Sequence, residues 1–112
     1  RHCVCYAGTH DNTTVASWFD EADPADAAFS VRYLGLNTEE GYVWGMLRGG
    51  MGSVANLFIA QVQDYLGLGK EARMNIPGTL GGNNWKWRLL SGEITDELIE
   101  KINAMTKMYG RV

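Results

Sequence analysis

The residues best able to do chemistry stand in two short polar clusters and one aromatic pair. His10 and Asp11 follow an apolar run within "YAGTHDNTT". Gln63 and Asp64 close a second apolar run, "NLFIAQVQD". Trp85 and Trp87 flank Lys86 in a stretch rich in Gly and Asn. Carboxylates, amides and imidazoles can bind hydroxyls in pairs. Indole faces pack on the apolar faces of pyranose rings. The set therefore suits a sugar or a similar polyol. A purely structural account stands beside this one. Asp11 is a competent helix N-cap, Asp64 could cap a turn, one tryptophan could belong to the core, and Arg73 could pair with Glu71.

Such groups need elements that place them. The run "HCVCYA" is apolar on both alternating faces, which predicts a strand over residues 2–7 covered on both sides, as in a parallel sheet. Gly8 ends it. Asp11, Asn12 or Thr13 is then expected to cap a helix over residues 14–20, with Val15, Trp18 and Phe19 on one face. Pro24 opens a helix over 24–34 that Gly35 stops. Asn37 or Thr38 caps another, from about residue 39 to 47 or beyond. Gly45, Gly49, Gly50 and Gly52 oppose a helix there by about 1 kcal/mol each, unless close packing overrides them. Residues 56–64 read as a second buried strand, with a helix through the same residues left open. The stretch 65–88 has no period and is too long for an idle connection. A terminal helix over 95–109 is the clearest element. Thr95 caps it, Asp96 and Glu97 occupy its first turn, Ile94 and Ile99 stand at staple positions, and Gly110 ends it.

Two apolar strands separated by helices make βα units, and in parallel α/β proteins ligands bind at the carboxyl ends of the strands. Both polar clusters stand at such ends. Two strands cannot form a sheet of that kind alone, because each needs neighbours and covering layers.

The totals narrow the classes. The 112 residues suit one small domain, and 46% apolar content supports a core. A net charge of −3, with scattered Lys and Arg, excludes a nucleic-acid binder. No apolar run approaches the length of a membrane span. Cys3 and Cys5 point to one face of a strand, where a mutual disulfide is awkward. With only His2 and His10 nearby, they are a weak hint of metal, since structural zinc wants four well-placed ligands. Buried thiols in a reducing cytoplasm are expected instead. The Gly-rich runs lack a P-loop signature and no dinucleotide fingerprint follows either strand. The sequence begins at Arg1 and is strand-like by His2, so we expect the tail of a longer protein.

Three ordered motifs, "GTHDN", "QDYLGLGKEARMNIPG" and "NWKWRL", resemble the C-terminal part of glycoside hydrolase family 77, the 4-α-glucanotransferases called amylomaltase or disproportionating enzyme. The likeness runs from about Val4 to Arg111 and is most specific from Gln63 to Gly78. Departures are small. An acidic residue expected between Asn12 and Thr13 is missing, Val62 stands where Pro is expected, and "GNNW" carries an extra Asn. These bear on loop contacts.

The resemblance implies an α/β fold: the last two βα units of a (β/α)₈ barrel, helix-rich as an isolated piece. Residues 1–112 would form that piece, including the terminal loop 65–88 and terminal helix 95–109. It implies a retaining transfer of α-1,4-glucan segments through a covalent intermediate. Asp11 matches the family's transition-state stabiliser, and His10 matches the histidine that binds the same ring. Arg73 and Asn75 fall in the substrate-lining loop. The nucleophile and acid/base match nothing in this chain, so the chain alone is expected to be inactive. No cofactor or metal is expected, since glycosyl transfer between sugars needs neither. The expected partners are a maltodextrin substrate and the preceding part of the same barrel, or a second copy covering the open strands, with neither nucleic acid nor membrane. The alternative is a non-catalytic glucan-binding or interaction module using Trp85, Trp87 and the Gly-rich loop.

Overall fold

The computed structural model describes residues 2–111. Two three-residue strands form its frame. β1 (Val4–Tyr6) pairs in parallel with β2 (Leu57–Ile59), setting Val4 opposite Leu57, Cys5 opposite Phe58 and Tyr6 opposite Ile59. Asn56 N donates to Cys3 O at 3.1 Å and Ala7 N to Ile59 O at 3.2 Å, so the ladder continues past both ends. A parallel pair needs a long crossover. Three helices supply it: α1 (Val15–Glu21), α2 (Pro24–Leu34) and α3 (Tyr42–Met51). After β2 come the single turn α4 (Val62–Tyr65), a 3₁₀ turn (Lys70–Ala72), and α5 (Asp96–Met108). The chain is thus helix-rich with one short parallel pair.

Glycines explain why α3 forms where propensity opposes it. The Phe58 ring lies against Gly50 so closely that any Cβ there would overlap it. A Cβ at Gly49 would stand 2.9 Å from Leu34 Cδ2, and one at Gly45 would overlap the Leu36 side chain. Bare backbone lets α3 approach both β2 and the end of α2. Contact and burial thereby offset a propensity cost of about 1 kcal/mol per glycine. Leu47, Met51, Leu36 and Val15 are buried around this contact. α3 runs later than expected, Tyr42–Met51, because the Asn37 side chain caps a preceding turn through Glu40 N (2.8 Å) rather than the helix itself. Arg48 then clamps that turn, with Nε 3.0 Å from Glu40 Oε2 and Nη2 donating to Leu34 O at 2.8 Å.

Other boundaries obey local chemistry. Asp23 caps α2 through Ala25 N (2.8 Å), and Gly35 ends it at φ 64°. Thr95 caps α5 through Leu98 N (3.1 Å), and Gly110 lies just beyond it at φ 68°. α5 docks by Lys101 Nζ, 3.8 Å above the Trp44 ring, and by Arg111, whose Nε donates to Met51 O at 2.7 Å. Its stripe Leu98, Ile102 and Met105 is half-buried, while the staple positions Ile94 and Ile99 are exposed.

Several expectations are corrected. The second strand stops at Ile59, and the helical alternative holds for Val62–Tyr65, because Gln63 and Asp64 turn inward to backbone partners. The α1 cap is Thr14, whose Oγ1 accepts from Ser17 N at 3.3 Å, rather than residue 11, 12 or 13. Only one face of the strand pair is covered in this chain. Cys5 and Phe58 are half-buried, whereas Val4, Tyr6, Leu57 and Ile59 are 40–53% exposed. Cys3 is exposed rather than buried, and both thiols are free. Among the described residues, no helix is long and apolar enough to cross a membrane.

Candidate active site

The site is built on the turn that leaves β1. Asn12 Oδ1 accepts from Thr9 N (2.9 Å) and Thr9 Oγ1 (3.1 Å), while Asn12 N returns a bond to Thr9 O at 3.0 Å. This self-closed turn occupies the Asn12 carboxamide oxygen and puts His10 and Asp11 at its tip. Their side chains are 56% and 49% exposed. Asp11 therefore does not cap α1, a task done by Thr14 from within and by Asp64 from across the fold.

A distant segment closes on this tip. Asn75 Nδ2 donates to Asp11 Oδ1 at 2.8 Å. Asn75 N donates to His10 O at 3.1 Å, and Arg73 Nη2 donates to Asp11 O at 2.7 Å. Arg73 Nε donates to Asn75 O at 2.8 Å, which fixes the strap's own shape. Arg73 is thus not paired with Glu71, whose Oε1 instead accepts from Gly69 N at 3.2 Å. The other Asp11 oxygen, Oδ2, lies 3.4 Å from His10 Nε2. A carboxylate offers about four lone-pair sites. With one filled by Asn75, the group can still accept bonds from two neighbouring hydroxyls.

Trp85 completes the arrangement. Its ring packs on His10 at 5.0 Å between centroids, tilted 39°. Trp85 has φ 61°, the only non-glycine in the left-handed region among the described residues. Such a backbone costs on the order of 1–3 kcal/mol and persists only where surroundings impose it. Here its N–H is bonded to Met74 O, and Asn84 ties the loop through Ile76 N (3.0 Å) and Thr79 Oγ1 (2.8 Å). Trp85 and Trp87 do not alternate on a strand. Trp85 is half-exposed against His10, and Trp87 is half-buried. A cleft of about 350 Å³ lies at the carboxyl ends of the strands, lined by Tyr6, Gly8, Thr9, His10, Ile59 and Gln61. That volume is on the scale of small-ligand sites, about 300–1,000 Å³.

Gln63 and Asp64 do not face this cleft with their polar groups. Gln63 Nε2 donates to Ala72 O at 3.2 Å, and Asp64 Oδ1 accepts from Val15 N at 2.8 Å. Burial pushes the Asp64 carboxyl above its ordinary range, and the Val15 N–H partly restores it. Burial likewise raises the Tyr65 hydroxyl.

All four sequence-predicted site residues, His10, Asp11, Arg73 and Asn75, meet in one junction. Sequence reasoning missed two things: that Trp85 serves His10, and that Gln63 and Asp64 serve the backbone. Nothing local signals a bond between residues so far apart in the chain. Among the described residues, no three His, Cys, Asp or Glu side chains are grouped to hold a metal ion.

The 4-alpha-glucanotransferase family, glycoside hydrolase family 77, matches residues 1–94. A 4-alpha-glucanotransferase of Clostridium butyricum is 47% identical over 112 residues, covering 99% of this chain and 23% of the relative. A chloroplastic/amyloplastic 4-alpha-glucanotransferase of Solanum tuberosum is 39% identical over 112 residues, covering 97% and 19%. The solved amylomaltase from Streptococcus agalactiae in complex with acarbose superposes with a TM-score of 0.89 at 30% identity, over 95% of this chain and 21% of that one. The chain spans about a fifth of the length of these relatives.

Proposed function

The chain belongs to the 4-alpha-glucanotransferase family, glycoside hydrolase family 77, and from that membership we propose that it supplies the part of an active site in which Asp11 steadies a glucosyl unit during α-1,4-glucan transfer. The whole protein would cut an α-1,4 bond in one glucan and pass the segment to the 4-hydroxyl of another. Retention of configuration requires a nucleophilic carboxylate, a general acid/base and a covalent glycosyl-enzyme intermediate. Those two groups would come from earlier strands of a (β/α)₈ barrel. Residues 1–112 would supply its last two βα units, the loop 65–88 and the closing helix. The parallel β1–β2 pair supports that reading. So does its open face of Val4, Tyr6, Leu57 and Ile59, which would meet the rest of the barrel. A reducing, cytoplasmic setting for Cys3 and Cys5 is part of this reading.

In this reading Asp11 accepts bonds from the 2- and 3-hydroxyls of the sugar at the cleavage point. Those bonds strengthen as the ring flattens and positive charge develops. His10 contacts the same ring and is held in place by Trp85. Arg73 and Asn75 line the substrate by holding Asp11, one through its carbonyl and the other through Oδ1. The observation that carries the proposal is this junction. A half-exposed carboxylate is fixed at 2.8 Å by an amide from a second motif, at the carboxyl end of a parallel strand.

The test is maltotriose disproportionation by the full-length protein, monitored as glucose and longer oligomers. Asp11→Asn should lower kcat by roughly 10²–10³-fold, the scale of a lost transition-state hydrogen-bonding group. Normal turnover in a folded Asp11→Asn protein overturns the assignment.

A further inference from the structure

Gln63 and Asp64 are a buried polar pair for which the binding chemistry has no use. Both sit on α4, directly after β2, and only 7% and 1% of their surfaces are exposed. Asp64 holds Val15 N, in the segment that continues from Asp11. Gln63 holds Ala72 O, next to Arg73. The two gripped segments then meet each other at Asp11, Arg73 and Asn75. The bonds make a closed circuit: from Asp11 to Val15, across Asp64 and Gln63 to Ala72, through Arg73 and Asn75, and back to Asp11.

Asp64 and Thr14 cap α1 together: Thr14 Oγ1 accepts from Ser17 N and Asp64 Oδ1 from Val15 N. Capping uses only one of the two Asp64 oxygens. Asp64 Oδ2 is buried without a hydrogen-bond partner among the described residues, an arrangement that costs stability. What Asp64 adds is a fixed distance between the end of β2 and the loop that carries Asp11. We infer that Gln63 and Asp64 are positioning residues of the site, a buried crosspiece that sets Asp11 against Asn75 and Arg73 by gripping the backbone on either side of them. Its effect on turnover rests on the glucanotransferase reading, whereas its effect on the junction's geometry does not.

Two measurements on the full-length protein test the crosspiece. The first is amide hydrogen exchange at Asn75, whose N–H donates to His10 O. Gln63→Met keeps the side chain's length and removes its donor. It should speed that exchange about ten-fold through local opening of the strap. The second is maltotriose kinetics. Gln63→Met should lower kcat about ten-fold with KM within about two-fold, because a small misplacement of a positioned group acts on the transition state. Asp64→Ala should act similarly, and Asp64→Asn, which keeps the Oδ1 acceptor, should recover kcat to within about three-fold of the unmodified protein. In an Asn75→Ala background the cost of Gln63→Met should shrink below about two-fold, since the strap no longer reaches the carboxylate. Should Asp64→Ala fail to fold, Gln63→Met decides alone. Unchanged Asn75 exchange in folded Gln63→Met, or a full kcat cost persisting over Asn75→Ala, overturns the crosspiece. If Asp11→Asn abolishes turnover while Gln63→Met leaves exchange unmoved, the function stands and the crosspiece falls. If the unmodified protein transfers no glucan, the function falls and the exchange result still decides the crosspiece.

Discussion

Two junctions tie the β1 side of this protein to the segment after β2, and they differ in depth and in purpose. The outer one joins Asp11 to Asn75 and Arg73 at the tip of a turn, half in water. The inner one joins Asp64 to Val15, with Gln63 bonded to Ala72 within the segment after β2, out of water. An exposed hydrogen bond exchanges readily with solvent and adds little net stability. A buried one is costly to leave unmade. The outer junction is therefore open to solvent, and the inner one closed to it. The same groups, a carboxylate and a carboxamide, serve opposite ends according to depth.

The sharpest way to break this contrast is to remove one carboxylate from each junction. Asp11→Asn should cost roughly 10²–10³-fold in kcat, about 3–4 kcal/mol of barrier. Its thermal midpoint should stay near that of the unmodified protein, read by circular dichroism. Asp64→Ala should do the reverse in weight, lowering stability by about 1–3 kcal/mol in denaturant melts. It leaves the Val15 N–H buried without its acceptor. Equal stability losses for the two variants would erase the distinction.

Smaller effects sharpen it. Trp85→Gly removes the ring that backs His10 and should lower kcat/KM about ten-fold, with a compensating gain from relieving the left-handed backbone strain, which the loss of Cβ removes. Kinetics and melts on the same preparation separate the two. The smallest effect concerns pH. The Asp64 carboxyl titrates higher when folded than its ordinary value of 3.8. The folded protein thus holds the extra proton between those two values. The contribution of Asp64 to stability is greatest below the unfolded pKa, falls as pH rises through the folded one, and is level above it. Asp64→Asn should flatten that part of a stability-against-pH curve, measured by urea midpoints from about pH 3 upward. Asp11→Asn should leave it in place.

How much of this was legible beforehand depends on the reach of each signal. The terminal helix was written in neighbouring residues. Thr95 reaches Leu98 N, Asp96 and Glu97 meet the helix dipole, and Gly110 takes φ 68° just past the last turn. The same holds for Pro24 and Gly35 around α2. The site residues were legible through motif rather than pattern, because "THDN" and "EARMN" carry no local reason to touch. The second strand was misjudged past Ile59. An apolar run cannot say where a chain turns when the next two polar side chains find buried backbone partners. Glycine-rich α3 resisted assignment for a related reason: its stability lies in Phe58 and Leu34 of other elements.

The sequence by itself determined the ends of α2 and α5, the parallel order of the two strands and the polar character of the residues after each strand. These rest on interactions within a few residues, or on the chirality and length of the crossover. The tertiary structure alone decided which carboxylate faces outward and which caps a helix from across the fold. Asp11 and Asp64 come after similar apolar runs, and nothing in either stretch distinguishes them. The difference is made by the surroundings each one meets: an open turn and water for one, the first turn of α1 for the other.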